Sequence, residues 1–476
     1  MTTTAAPQIP RQRTRPAHSF GPLLLRLHFY AGVLVAPFLL VAALTGLAYA
    51  FAPQIERAVY ADELVAANPG GAAARPLAEQ IAAARAVHPD GAVTTIRPGT
   101  GDTTTQVDFT SPSLDEEHFH TVYVNPYTGA VTGQLTTWWA TTPLKTWLDD
   151  LHRNLHLGAT GRYYSEFAAS WLGVITVGGL ILWWRRQRSA RTMLTPDLAA
   201  RKGVRRTRGW HAATGLWLTA GLLVLSATGL TWSRYAGGNF SAALDSLRSG
   251  TPSVATDLTG AAPAAAGGHH GGGSPAAAGT ADPAAVDGVL RAARDNGISG
   301  PVEIAVPGDA ATAWTVTQTR NVWPIGRDSV AVDATAGKVV DRVDFADWPV
   351  LAKLTRWGIN AHMGTLFGLV NQLLLAALAI GLICVIVWGY RMWWQRRPTR
   401  VDRRSLAGTP PARGAWQQLP PWGVAVGVPL VLALGWVLPL FGIPLAAFLL
   451  IDVAAGAIRN RRRPAAVPVS PAPVGR

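Results

Sequence analysis

PLKTWLDDLHRNLHLG, Pro143–Gly158, aligns without gaps on PVLAKLTRWGINAHMG, Pro349–Gly364, and superposes Asn154 on Asn360 and His156 on His362. A second pattern repeats in the same way. His28, in Leu27-His28-Phe29-Tyr30-Ala31-Gly32, stands eighteen residues before the glycine of Thr45-Gly46-Leu47, and His211 stands at the same distance before that of Thr228-Gly229-Leu230, with Gly215 four residues after it. The chain reads as two copies of one unit, each placing histidines at the ends of apolar helices.

At 49 % hydrophobic and 15 % charged over 476 residues, the chain is too apolar and too long for one soluble core. Four runs have the ~20 residues that cross a bilayer as helix: Leu24 to Phe51, Tyr164 to Trp184, His211 to Trp232 and Thr365 to Tyr390. A fifth, Gly423 to Ala457, is too long for one crossing and is interrupted at Pro439 and Pro444, which predicts a helical hairpin and six spans in all.

The formal charge of +14 does not indicate nucleic acid, because the basic residues flank the spans. Arg11, Arg13 and Arg15 precede the first; Arg185, Arg186 and Arg188 begin a basic loop that runs to Arg208; Arg396, Arg397, Arg403 and Arg404 follow the fourth; Arg461 to Arg463 follow the last. Short loops rich in arginine stay cytoplasmic, so a multi-pass protein of the inner (plasma) membrane with both termini cytoplasmic is expected. The first apolar run carries a repeated histidine and lacks a clean small-residue cleavage site, so it is read as a span rather than a cleaved signal. Cys384 is the single cysteine, which excludes an internal disulfide and a Cys-x-x-Cys-His haem attachment.

This order divides the chain into a tail and first span (1–51), an outer module (52–142), a lead-in helix with the second span (143–184), a basic cytoplasmic loop (185–209), and the third span (210–232). A flexible linker (233–282), a second outer module (283–348), a lead-in helix with the fourth span (349–394), a cytoplasmic loop (395–421), the hairpin (422–458) and the tail (459–476) complete it. Each module reads as α+β. The first has a helix from Pro76 to His88, strands near Val93–Arg97, Thr104–Phe109 and Thr121–Val124, the turn Asn125–Gly129 and a final strand; the second has a helix from Pro283 to Asp295 and strands near Val302–Val306, Trp314–Gln318 and Val330–Asp333. Between them, Ala261 to Pro283 is Ala, Gly, Ser and Pro, a composition that makes a tether, and its His269-His270 doublet reads as an incidental solvated pair.

Leu151-His-Arg-Asn-Leu-His-Leu-Gly158, the turn Asn125–Gly129, the exit Trp183-Trp-Arg-Arg186 and the second exit at Trp393-Trp394 resemble the PepSY-associated transmembrane family over about residues 20 to 397. The second copy departs from the pattern, with Gly358 where the first has His152 and no proline in Asp333–Gly337. The resemblance implies a polytopic α-helical membrane protein with a duplicated four-helix core and two extracytoplasmic PepSY-like modules. Members include iron-regulated inner-membrane proteins and two-haem reductases of ferric siderophores, so it also implies a ferric chelate as the external electron acceptor.

The residues support a compatible chemistry. Polar groups at membrane depth are costly and usually face a functional interior. Copies of two spans each enter from the same side and bring equivalent residues together across an axis along the membrane normal. His28 then faces His211 at the inner end and His156 faces His362 at the outer end, with His152, one turn before His156, as a competing outer ligand. Two imidazoles suit the axial positions of haem iron, and Gly32, Gly215, Gly158 and Gly364 leave room for a flat porphyrin. Two b-type haems per chain would form a two-step path for electrons across the bilayer. Thr45-Gly46-Leu47 and Thr228-Gly229-Leu230 read as packing elements. Glu166 and Gln372, aligned in the repeat, read as headgroup-layer residues, with proton relay or quinone binding as the alternative.

Hydrolytic, phosphate-loop and dinucleotide motifs are missing from the sequence, so the reductant is an unidentified donor or a membrane quinol. Two functions follow. One is electron transfer to an extracytoplasmic acceptor; the other is a non-enzymatic protein whose modules bind or regulate a peptidase or cell-envelope partner.

Overall fold

A computed structural model of the chain describes residues 20–68, 71–186, 194–196, 198–259, 282–397, 411 and 419–461. The first apolar run forms α1 (Gly21–Leu34) and α2 (Ala36–Ala50), followed by the short α3 (Ala52–Val59) and α4 (Ala61–Leu64). Helix α5 (Leu77–Val87) leads into β1 (Val93–Arg97), β2 (Thr105–Phe109), β3 (His118–Val124) and β4 (Val131–Trp138). Then come α6 (Pro143–Asn154), α7 (Gly158–Trp184), α8 (Gly203–Thr231) and α9 (Tyr235–Ser246). The second half repeats the order with α10 (Val286–Asp295), β5 (Val302–Ala305), β6 (Trp314–Gln318), β7 (Ser329–Asp333), β8 (Lys338–Val343), α11 (Val350–His362) and α12 (Leu369–Gln395). Helices α13 (Pro421–Val437) and α14 (Pro439–Arg461) close it.

Three helices, α7, α8 and α12, are each long and apolar enough to cross a bilayer, and α1 with α2 makes a fourth if the pair is taken as one span. That span is not straight as its uninterrupted apolarity suggests; it bends by 55° at Val35. Pro37 supplies the reason. It has no N–H for the carbonyl of Val33, four residues back, and a proline ring crowds that carbonyl. The freed Val33 carbonyl instead accepts from the Tyr390 hydroxyl at 2.8 Å. The expected hairpin is present as α13 and α14, broken at Leu438 with Gly435 and Gly442 in close backbone contact. Both are apolar but shorter than the spans, Pro421–Val437 and Pro439–Ala455.

By its contacts the chain forms two units: Met1–Pro37, Ser170–Leu223 and Cys384–Arg476 make one, and Phe38–Ala169 with Val224–Ile383 make the other. In the first, a buried ion pair joins Arg26 of α1 to Asp452 of α14, with the guanidinium 4.8 Å from the Tyr30 ring centre. Neither residue is singled out by the sequence pattern. An ion pair at such depth is stable only when each charge has its partner.

The second unit holds the β domain. The expected strands are all present, within a few residues of their expected ends. The two modules are not separate, however: their strands form one antiparallel sheet in the order β4-β3-β2-β1-β5-β6-β7-β8. The seam is the β1–β5 pairing, Thr95 opposite Ala305 and Ile96 opposite Ile304. One apolar core serves both halves, with Ile81, Val107, Phe109 and Val122 joined to Val289, Ile304, Val316 and Val330. Polar groups lock the seam. Arg97 Nη1 donates to Asp108 and its Nε to Glu303, both at 2.8 Å, so one guanidinium holds carboxylates from both halves and is stabilised in its charged form by them. Asp287 of α10 accepts from the Leu77 and Ala78 amides, capping α5 of the other half.

The stretch 233–282 is not wholly a linker, because α9 occupies Tyr235–Ser246 and Asp257 bridges to Thr312. Glu166 explains the helix. Fully buried, it accepts from the Tyr235 and Ala236 amides at 3.0 Å each, a carboxylate set on the first free N–H groups of α9. Its aligned partner Gln372 accepts from Gln54 of α3 at 2.6 Å. Both therefore anchor the short helices that follow spans, rather than sitting loose among headgroups. The remainder of the tether with His269 and His270, and most of the two basic loops, lie outside the described residues.

Candidate functional site: two histidine pairs

The structure brings four histidines together as two pairs, each within one unit. His28 of α1 and His211 of α8 have ring centres 6.5 Å apart with an interplanar angle of 81°. His152 of α6 and His362 of α11 have ring centres 6.4 Å apart at 52°. All four are half-buried.

His156 is not the residue that meets His362. Helix α6 ends at Asn154, and Leu155 and His156 take left-handed backbone, with φ 55° and 56°. His156 is thereby exposed, and its ring packs tilted against Trp147 with centres 5.0 Å apart. In the second half α11 continues through His362, so the gapless match sets a residue beyond a helix end against one within a helix. His152, one turn earlier in α6, takes the facing position. Where the match puts His152 against Gly358, that glycine lies directly on Thr228, with space for nothing larger.

The surroundings fix the tautomers. Thr45 Oγ1 donates to the Val41 carbonyl at 2.8 Å and so spends its only hydrogen within its own helix. It must then accept from His152 Nδ1–H, at 2.9 Å. Thr228 does the same, donating to Val224 at 2.7 Å and accepting from His362 Nδ1–H at 2.7 Å. His211 Nδ1–H donates to the Val385 carbonyl at 2.9 Å. Each of these three rings consequently keeps its lone pair on Nε2, the nitrogen available to a metal. His28 Nδ1 is buried and makes no comparable hydrogen bond, only a weaker contact with the Ile175 carbonyl. The threonines of the repeated Thr-Gly-Leu are thus partners of the histidines, not packing alone; their identical offset from His28 and His211 was the signal.

Glycines set the ring positions. A Cβ at Gly46 would stand 3.1 Å from His152 Cε1, one at Gly179 3.0 Å from His28 Cε1, one at Gly229 3.6 Å from His362 Cε1, and one at Gly389 3.8 Å from His211 Cε1. Every ring lies edge-on against a glycine of a neighbouring helix; at Gly46 and Gly179 a side chain would crowd the ring, whereas at Gly229 and Gly389 a Cβ would make an ordinary contact. Gly32 and Gly215, one turn beyond His28 and His211, have no protein atom within 4 Å of a built Cβ and leave open space there. Gly158 and Gly364 serve differently: both have positive φ, 57° and 78°, and shape the turns into α7 and α12.

Two imidazoles bound through nitrogen at ~2 Å on opposite sides of one metal ion hold their ring centres roughly 6 Å apart. Both pairs have that separation. Among the described residues no group of three or more His, Cys, Asp or Glu could hold a bare metal ion. A pair of imidazoles suits instead a metal that brings its own equatorial donors, and haem iron is such a metal.

A comparison with curated proteins finds no match. The family described as PepSY-associated TM region matches residues 25–396, a stretch that takes in the four long apolar segments, the whole β domain and all four paired histidines, and the chain belongs to that family of membrane proteins.

Proposed function

We propose that this is a two-haem transmembrane electron-transfer protein of b type. In this reading His28 and His211 hold one haem, His152 and His362 hold the other, and electrons pass from the cytoplasmic or quinol side to an extracytoplasmic acceptor. The observation that carries it is the pairing itself: two independent sets of imidazoles at metal-spanning separation, with three of the four directed through Nε2 by hydrogen bonds at Nδ1. Bound haem iron would supply the one-electron redox chemistry. The chain's own part is to hold the axial positions, fix the imidazole tautomers and keep bulk water from the rings.

The topology belongs to the same proposal. Six spans, cytoplasmic termini and an outward-facing β domain follow from the arginine distribution, with α13 and α14 as the last two crossings. The resemblance of the sequence motifs to those of siderophore reductases makes a ferric chelate the favoured acceptor. A peptidase-binding scaffold has no use for matched, tautomer-fixed imidazoles between apolar helices, which is why that reading ranks second.

Absorption spectra test it directly. Protein purified from haem-replete cells should carry two non-covalent haems, and His211→Ala and His362→Ala should each lose about half of the absorbance. A colourless wild-type protein would sink the proposal.

A further inference from the structure

Five non-glycine residues among those described have left-handed backbone, and four of them form two consecutive pairs: Trp139 with Ala140, at φ 46° and 64°, and Leu155 with His156. Such conformations are strained for residues with a Cβ, and strain of this kind clusters where ligands are held. His156 of one pair lines an open cleft of about 330 Å³, and the other pair directly follows Trp138, which lines it too. It opens between the strand ends bearing His118 and Trp138 and the face of α6 that bears Trp147 and Asp150, with His156 at its edge. At 100° per residue this face of α6 is turned away from His152.

One wall is aromatic. Trp147 is 52 % exposed, and its ring packs against the His156 imidazole with the planes tilted by 34°. The other wall is polar. His118 Nδ1–H donates to Asp115 at 2.6 Å, which turns Nε2 away from that carboxylate, and Asp150, whose Oδ1 already accepts from Arg153 and Asn154, adds carboxylate to the lining. These residues do not form a metal-binding group. An apolar cavity of ~150 Å³ accepts benzene, so this one suits a single substituted ring better than a whole metal chelate.

The geometry points to this cavity as a binding site for a hydroxylated aromatic ring of the phenol, catechol or hydroquinone class, packed on Trp147 and His156 with its hydroxyls hydrogen-bonded to His118 Nε2 and Asp150. The inference rests on the cavity and not on haem. Such a ring can arrive as a free small molecule or as the aryl arm of a metal chelate. Hydroxyls already bound to a metal have no proton to donate, which favours the free ring.

Equilibrium dialysis of the full-length protein in detergent micelles against 2,3-dihydroxybenzamide, with empty micelles as baseline, tests the site. Saturable binding is expected, weakened roughly tenfold or more by Trp147→Ala and by His118→Ala, with Trp217→Ala, another exposed indole, leaving it unchanged. Benzamide, which lacks the hydroxyls, should bind at least about tenfold more weakly. Competition by free hydroquinone but not by a ferric tris-catecholate identifies the free ring as the ligand form; competition by both admits the chelated arm. Equal binding of benzamide, or binding indifferent to both Trp147→Ala and His118→Ala, overturns the assignment.

Discussion

At the His152–His362 pair both rings meet threonine hydroxyls at Nδ1, whereas the His28–His211 pair faces backbone carbonyls, with a 2.9 Å hydrogen bond from His211 to Val385 and a weaker contact from His28 to Ile175. The separations are nonetheless almost equal, 6.4 and 6.5 Å. Spacing and orientation are therefore set by different parts. Glycine contacts with the ring edges are common to both pairs and fix how near the rings come; the groups at Nδ1 differ and fix which nitrogen is offered and how basic it is.

The sharpest way to break the comparison is to exchange the two histidines that the sequence left in competition. His152→Ala should remove about half of the bound haem, as expected for one of two bis-imidazole sites, while His156→Ala should leave both haems in place. The haem content of the purified variants decides it; loss in the His156 variant instead would reverse the assignment of the second pair.

A smaller effect is expected from the threonines. On the two-haem proposal, Thr228→Val or Thr45→Val removes a group that orients a ligand histidine without touching the histidine itself, so haem affinity at that pair should fall roughly 10–100-fold. Titration with haem of the stripped protein would show one weakened site beside one normal site. Equal weakening of both would mean that the threonines act on the fold and not on their own histidines.

The smallest effect belongs to the glycines. Gly179→Ala places a methyl 3.0 Å from His28 Cε1 and Gly46→Ala one 3.1 Å from His152 Cε1, so each ring must give by a few tenths of an ångström. The overpacking should cost about 1–3 kcal/mol, with haem retained and one low-spin signal shifted in electron paramagnetic resonance. Since the contact of His28 with the Ile175 carbonyl is weaker than the 2.9 Å bond between His152 and Thr45, its signal should shift further than that of His152.

Much of this was legible in the chain. Period-2 runs such as Val93–Arg97 and Trp314–Gln318 became strands as read, and the long apolar runs became helices. What pairs with the edge of a module was not legible, because alternation specifies which face of β1 is buried and says nothing of its neighbour. The end of α6 was also hidden: neither glycine nor proline stands at Leu155 or His156, and the left-handed turn there is imposed by tertiary context. Pro37 stands in plain view in the first apolar run, yet the run reads as one span by its apolarity, and the bend is missed. Arg26 and Asp452 could not be matched from sequence alone, since partners 426 positions apart carry no shared period.

The seam between β1 and β5 has a bearing on the order in which the molecule can be made. The cap from Asp287 to Leu77 closes across 210 positions of chain, and the neighbouring strand pairing closes over a comparable length. The earlier half must therefore be synthesised with the hydrogen-bonding edge of β1 open, while two further long apolar helices, α7 and α8, are made before its partner emerges. Contacts between such distant segments form slowly, and an open strand edge invites pairing with other chains. Biogenesis thus has a vulnerable interval whose length is set by the rate of synthesis and membrane insertion, and protection of that strand edge matters most during it.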